Sequence, residues 1–167
     1  QCRFGYRDSI FKNEVKGKYI ITHVIFKLFK KPIFNTTYGA IDQELNRMGI
    51  RELSISAISK AVCNIRSSKL PDPDQLGNAG SFFKNPVVSN DQYESIKKNF
   101  PNISAYKDAV GMKLAAGWLI EQCGWKGKQI GNTGSHKDQA LVLVNYGNAS
   151  GQEVYALSEK ILESVKE

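Results

Sequence analysis

The chain has 167 residues, 41% of them hydrophobic, and a formal net charge of +7. That length suits one medium domain, or a small domain with part of another, and it is enough to bury a core. The longest apolar tract, Tyr19 to Phe29, is broken by Thr22, His23 and Lys27, so no run reaches the length of a membrane span.

A pI near 9.3 suits an anionic partner: nucleic acid, an acidic lipid surface or a phosphorylated small molecule. The cations are scattered, with only Lys27, Lys30 and Lys31 forming a loose cluster, and no nucleic-acid motif surrounds them. Cys2, Cys63 and Cys123 form no CxxC pair and no zinc spacing, so they are expected to be reduced, buried thiols of a cytoplasmic protein. The opening Gln1-Cys2-Arg3 has neither an initiator Met nor an apolar signal core, and reads as the middle of something longer.

In chain order, Tyr19 to Lys30 is rich in β-branched and aromatic residues and predicts a strand ended by Pro32. A short helix follows over Ala40 to Met48, closed by Gly49. Ser54 caps a predicted helix from Ile55 to about Ser67, whose Ile55, Ile58, Val62 and Ile65 make a stripe expected in the core. Pro71 and Pro73 end that helix, and an extended segment runs from Ser81 to Val88. Asp91 to Asn99 and Leu114 to Cys123 read as helices, and Ala140 to Tyr146 as a strand. Ser150 and Glu153 form a capping box for a last helix that buries Val154, Leu157, Ile161 and Val165. The sum is an α+β pattern, with a domain boundary placed between residues 67 and 68.

The stretch with most chemistry is KLPDPDQLGNAGSFFKNP, Lys69 to Pro86. Its glycines let backbone approach a ligand, Ser81 closes the loop, and Lys69 and Asn85 flank it with a cation and an amide. Taken alone, such a stretch is more often an ordinary turn. His23 and His136 have no acidic or cysteine partners at ligand spacing and read as structural rather than metal-binding.

GNAGSFFKNP at 77–86, preceded by KLPDP at 69–73, resembles the signature of the MurB family, the UDP-N-acetylenolpyruvoylglucosamine reductases. GYRDSIFK at 5–12, KLAAGWLIEQCGWKGKQIG at 113–131 and HKDQALVLVN at 136–145 match the same family in order and spacing. TYG at 37–39 resembles the substrate-loop tyrosine of its type I branch.

The resemblance implies a fold, an activity and a set of residues. The fold is the C-terminal part of an FAD-binding subdomain (residues 1–67), followed by a small α+β substrate-binding domain (residues 68–167). The activity is FAD- and NADPH-dependent reduction of UDP-N-acetylglucosamine enolpyruvate to UDP-N-acetylmuramate, in cytoplasmic peptidoglycan precursor synthesis. Ser81 aligns with the serine that protonates the substrate carbon, and Arg7 with an arginine beside the enolpyruvyl carboxylate. Lys69 and Lys126 align with phosphate-contacting lysines, Asn85 and Gln139 with amides that bind the UDP-sugar, and Tyr38 and Tyr106 with tyrosines covering diphosphate and uridine. Arg66 aligns with an arginine near the flavin. Without the resemblance, Arg7 would read as a surface ion-pair partner, Arg66 as a helix-end cation, the lysines as surface and the tyrosines as partly buried core.

Two parts of the family pattern are absent from the chain. No glycine-rich pyrophosphate loop precedes Tyr19, and the catalytic glutamate would fall beyond Glu167. The expectation is therefore a chain that binds no FAD stoichiometrically by itself. Its first 67 residues are expected to be less ordered than the rest, or to pack on another copy, because a partial sheet exposes edges and an apolar face. The alternative reading is a non-catalytic nucleotide-sugar-binding module; a basic nucleic-acid-binding domain is the weaker third.

Overall fold

The computed structural model describes residues 2–37 and 39–167. The chain divides into two compact units, Gln1–Asn35 and Thr36–Glu167.

The first unit opens on a tight loop. Gly5 and Asp8 exchange backbone hydrogen bonds of 3.0 and 3.3 Å around Tyr6 and Arg7, and a short 3₁₀ turn follows over Ile10–Lys12. The Asp8 carboxylate accepts the Ser9 N–H at 2.9 Å and the Asn13 amide at 2.8 Å, which fastens the loop to that turn. The strand predicted over Tyr19 to Lys30 does not form. A strand exists only if a neighbour takes its N–H and C=O groups, and no described segment pairs with this one. Ile20, Ile25, Leu28 and Phe29 are instead exposed.

The second unit begins with a helical pair, α1 (Ile41–Arg47) and α2 (Ile55–Lys69). Ser54 caps α2 by accepting the Ala57 N–H, and the buried Leu45 and Ala61 lie within the two helices. Glu44 joins them: it takes two hydrogen bonds from Arg47, at 2.6 and 2.7 Å, and one of 2.8 Å from Asn64 of α2. The expected stripe on α2 is only half met. Ile58, Val62 and Ile65 are partly buried, but Ile55, at the first turn, is 66% exposed. The expectation of buried thiols is corrected too: all three cysteines are free, Cys63 is exposed, and Cys2 and Cys123 are partly buried. Cys63 lies two residues past Ala61, about 200° around the helix, which turns it to water.

Two antiparallel sheets follow. β1 (Gly77–Ser81), β7 (Val142–Asn145), β6 (Thr133–Ser135) and β5 (Gln129–Ile130) form one, in that spatial order. β2 (Val87–Val88), β4 (Gly111–Leu114) and β3 (Ala105–Asp108) form the other. α3 (Asn90–Asn99) carries a capping box between Ser89 and Gln92. The predicted helix from Leu114 begins later, as α4 (Ala116–Gln122), because Leu114 is the last residue of β4 and its N–H goes to the Pro86 carbonyl at 2.9 Å. The β3–β4 hairpin, and β5 with β6, lack the apolar alternation that marks a strand in sequence.

α5 (Gly151–Lys166) forms as its Ser150–Glu153 capping box predicts, with both reciprocal hydrogen bonds present. The Ser150 backbone N–H and hydroxyl both donate to the Glu153 carboxylate and hold it below its ordinary range. Leu157 and Ile161 of this helix pack with Ile120, Trp125, Ala140 and Leu143 to make the core, and Val154 and Val165 flank it. Burying side chains of this size contributes about 1.5–3 kcal/mol each. The Trp125 indole donates to the Ser164 hydroxyl at 2.6 Å, which pins the end of α5 to the turn after α4. The fold is α+β.

Glu44 supplies a pH test of the helical pair. Hydrogen bonds from Arg47, then Asn64, lower its carboxyl from an ordinary 4.5 to about 2. A depressed folded value stabilises the fold above the unfolded one and loses that effect as pH falls through the folded one. Urea midpoints followed by circular dichroism are expected to drop between pH 4.5 and about 2 in the wild type, and to drop less in Glu44→Gln.

Candidate functional site

Strand β1 places Ser81. Gly77 and Asn78 pair with Asn145 and Val144, but Ser81 pairs with Val142, so β1 spends one residue more than β7 between the last two pairings. This is a β-bulge, which bends a strand and re-aims its side chains. Asn78 shapes it by accepting the Gly80 N–H at 3.0 Å, and Gly80 takes φ +63°, a conformation that costs a residue with a Cβ. The ladder resumes at once, with the Phe82 N–H on the Leu141 carbonyl at 2.8 Å. Ser81 is thus fixed on an exposed edge by backbone pairing on both sides.

Two amides border the start of α4. The half-buried Asn85 accepts the N–H of Ala116, the first residue of α4, at 3.0 Å. Gln139 lies three residues before Val142, the partner of Ser81, and its carbonyl accepts the Val142 N–H at 3.0 Å. A Cβ placed on Gly117, the second residue of α4, would lie 3.5 Å from Gln139 Oε1 and 3.5 Å from Leu141 Cγ. Both are ordinary contact distances, so Gln139 and Leu141 pack close to the first turn of α4. Nothing in the sequence separates Gly117 from any other helix glycine. Asn85 and Gln139 thus approach the first turn of α4 from distant parts of the chain, four residues after Ser81 and three before its strand partner.

The other expected residues lie elsewhere. Tyr106 of β3 is 58% exposed and pairs with Lys113 of β4, which pairs in turn with Val87 of β2. That row across the small sheet ends two residues from Asn85. Lys113 is bound to Asp108 at 3.2 Å, and its hydrogen bond keeps the Asp108 carboxyl below its ordinary range. Lys69, the last residue of α2, shares a cleft of about 320 Å³ with Arg66 and with Gly39, Ala40 and Ile41. Arg66 also lines a neighbouring open cleft of about 570 Å³ with Pro71, Asp72 and Pro73. Lys126 stands past the far end of α4 from Asn85 and forms a 2.9 Å ion pair with Glu121. Tyr38 lies outside the described residues.

Arg7 belongs to the first unit and has φ +54°, a left-handed conformation unusual for a residue with a long side chain. The Gly5–Asp8 pairing imposes it, and Lys12 Nζ donates to the Arg7 carbonyl at 3.0 Å. Such a conformation costs on the order of 1–2 kcal/mol, and residues held this way gather at functional sites.

This part of the second unit can do two things chemically. It offers two hydrogen-bonding amides at the start of α4, and it holds a hydroxyl at a fixed, exposed strand edge. Among the described residues, no group of His, Cys, Asp and Glu could hold a metal ion. No helix of the described residues is long and apolar enough to cross a membrane.

The family model described as the UDP-N-acetylenolpyruvoylglucosamine reductase C-terminal domain matches residues 72–167, more than half of the chain. The reductase of that name from Flavobacterium johnsoniae is 53% identical over 169 residues, covering 100% of this chain and 50% of the relative. Those from Pseudomonas putida and Alcanivorax borkumensis are 52% and 47% identical, covering 100% of this chain and 49% and 48% of themselves. The chain spans about half the length of the curated relatives it matches.

The Asn85 bond to α4 can be tested without a ligand. Asn85→Ala leaves the Ala116 N–H without its acceptor and is expected to destabilise the fold by about 1 kcal/mol, whereas Asn85→Asp keeps an acceptor and costs less. Urea unfolding of both variants checks this.

Proposed function

Because the chain belongs to the UDP-N-acetylenolpyruvoylglucosamine reductase family, we propose that it supplies the UDP-sugar site and the proton-donating serine of an enzyme reducing UDP-N-acetylglucosamine enolpyruvate to UDP-N-acetylmuramate. The reaction belongs to cytoplasmic peptidoglycan precursor synthesis. Residues 68–167 are the substrate-binding domain in this reading, and residues 1–67 belong with a flavin-binding part. The observation that carries it is the family match over 72–167, a span that contains Ser81, Asn85 and Gln139; the approach of Asn85 and Gln139 to the start of α4 supports it.

The substrate carries a diphosphate, a uracil and an enolpyruvyl ether. Lys69 and Lys126 offer cations to the diphosphate, Asn85 and Gln139 offer amides to the nucleotide-sugar, and Tyr38 and Tyr106 offer ring faces and hydroxyls. Hydride addition at the distal vinyl carbon leaves negative charge on the carbon bearing the ether oxygen and carboxylate. Arg7 holds that carboxylate and stabilises the enolate-like charge. Ser81 Oγ then gives its proton to the carbon. A serine hydroxyl is a very weak acid, so the transfer works only because a carbanion is a strong base and the bulge fixes the donor's position.

The hydride would come from FAD, reduced in turn by NADPH. In this reading Arg66, beside its open cleft, gives the flavin one cation, and the flavin-binding part supplies the rest of its site. The exposed apolar side chains from Tyr19 to Phe34 are the surface on which that part would pack.

Calorimetry with UDP-N-acetylglucosamine enolpyruvate tests the reading. The chain is expected to bind it, and Lys69→Ala and Lys126→Ala are each expected to weaken binding about tenfold, as loss of a charge-assisted contact of roughly 1.5 kcal/mol would. No binding by the wild-type chain would count against the proposal. In the complete enzyme, Ser81→Ala is expected to slow product formation about 10²–10⁴-fold with the substrate dissociation constant nearly unchanged. Equal loss of binding and turnover would argue against a proton-donor role.

A further inference from the structure

The β6–β7 connection, residues 136–141, carries Gln139 and is closed by an unusual concentration of hydrogen bonds. The His136 N–H reaches the Val142 carbonyl at 2.8 Å, and the Val142 N–H returns to the Gln139 carbonyl at 3.0 Å. Below the loop, the fully buried Ser135 hydroxyl donates to the Ala140 carbonyl at 2.8 Å. The fourth bond comes from a histidine: the Asp138 N–H donates to His136 Nδ1 at 3.3 Å.

His136 is 7% exposed, while Lys137 and Asp138 beside it are exposed. A backbone N–H can only donate, so Nδ1 must accept and the ring proton sits on Nε2. The ring therefore does for Asp138 what an asparagine side chain does in an Asx turn: it fixes the backbone two residues on. The next residue is Gln139, whose Oε1 packs beside Gly117 at the start of α4, 3.5 Å from where a Cβ on that glycine would lie. A displacement near 1 Å at such a position is enough to cost about 100-fold in a binding or reacting geometry.

We propose that His136 is a positioning residue for Gln139, clamping the loop through Nδ1 so that the amide meets the nucleotide-sugar in a fixed orientation. The proposal rests on the role given to Gln139 above. It assigns His136 no contact with substrate and no proton transfer.

The test uses this chain with UDP-N-acetylglucosamine as the probe, together with nitrogen NMR. His136→Asn keeps an acceptor for the Asp138 N–H and is expected to bind within about threefold of wild type. His136→Leu removes the acceptor and is expected to bind about tenfold more weakly with its circular dichroism unchanged. Gln139→Ala is expected to lose as much, and the double variant His136→Leu with Gln139→Ala no more than Gln139→Ala alone, because both act through one amide. Wild-type affinity in His136→Leu, or losses that multiply in the double variant, would overturn the clamp.

The ring's nitrogen spectrum and the exchange rate of the Asp138 amide need no ligand. An unprotonated Nδ1, with an Asp138 amide slow to exchange in wild type and in His136→Asn, supports the clamp. A proton on Nδ1 overturns it. Should wild type bind no probe, the reading of Gln139 as a substrate amide fails, and these two measurements still decide the clamp. The spectrum also requires no variant, so it holds even where His136→Leu does not fold.

Discussion

The antiparallel pairing of β1 with β7 is the constraint from which the rest of the site follows. Val142, Leu143 and Val144 of β7 are each about 1% exposed, and Leu143 lies in the cluster built by α5 and the residues around α4. A strand buried to this degree cannot slip by one residue, since a slip would exchange its two faces. β1 is hydrogen-bonded to that fixed strand, and one extra residue at Gly80 turns the end of β1 where it carries Ser81. The serine's position is thus inherited from the core, while its edge remains exposed.

The same economy operates at the start of α4. Asn85 satisfies the first N–H of the helix, and Gln139 packs beside Gly117, one residue on. The Asn85 amide is held by a group that also serves the fold. In the proposed reading, part of the ordering cost of a binding site is then met by folding. The cations are arranged differently. Lys69 and Arg66 border one cleft at the end of α2, and Lys126 stands beyond the other end of α4, bound to Glu121. An exposed ion pair of this kind contributes little to stability and leaves the lysine able to change partners.

Arg7 and the apolar segment after it show what a chain does when local and long-range demands differ. The Gly5–Asp8 loop closes locally and can hold Arg7 in a left-handed conformation with bonds from its own neighbours. Residues 19–34 have the composition of a strand, yet composition alone cannot supply the hydrogen bonds a strand needs. Their exposed apolar side chains agree with the proposed role of that surface in packing against a flavin-binding part.

Much of this protein was legible in one dimension. The starts of α2 and α5 were, because capping depends on residues three apart: Ser54 and Ser150 both accept the N–H three residues on. The buried faces of α5 and β7 were, because their apolar periods are long enough to read. The blocks around Arg7, Ser81, Lys126 and Gln139 pointed to the family, since four ordered stretches specify far more than any single motif.

Other features were decided only in three dimensions. The β3–β4 hairpin, the short β5 and β6, and the late start of α4 depend on partners distant in the chain, and two to four residues carry too little pattern to announce them. The exposure of Ile55 and Cys63 depends on where α1 lies against α2. The approach of Asn85 and Gln139 to the start of α4 and the pairing of Ser81 with Val142 are likewise tertiary facts. Local sequence sets the conformations a segment can adopt, but distances between segments are fixed only when burial and backbone hydrogen bonding are satisfied together.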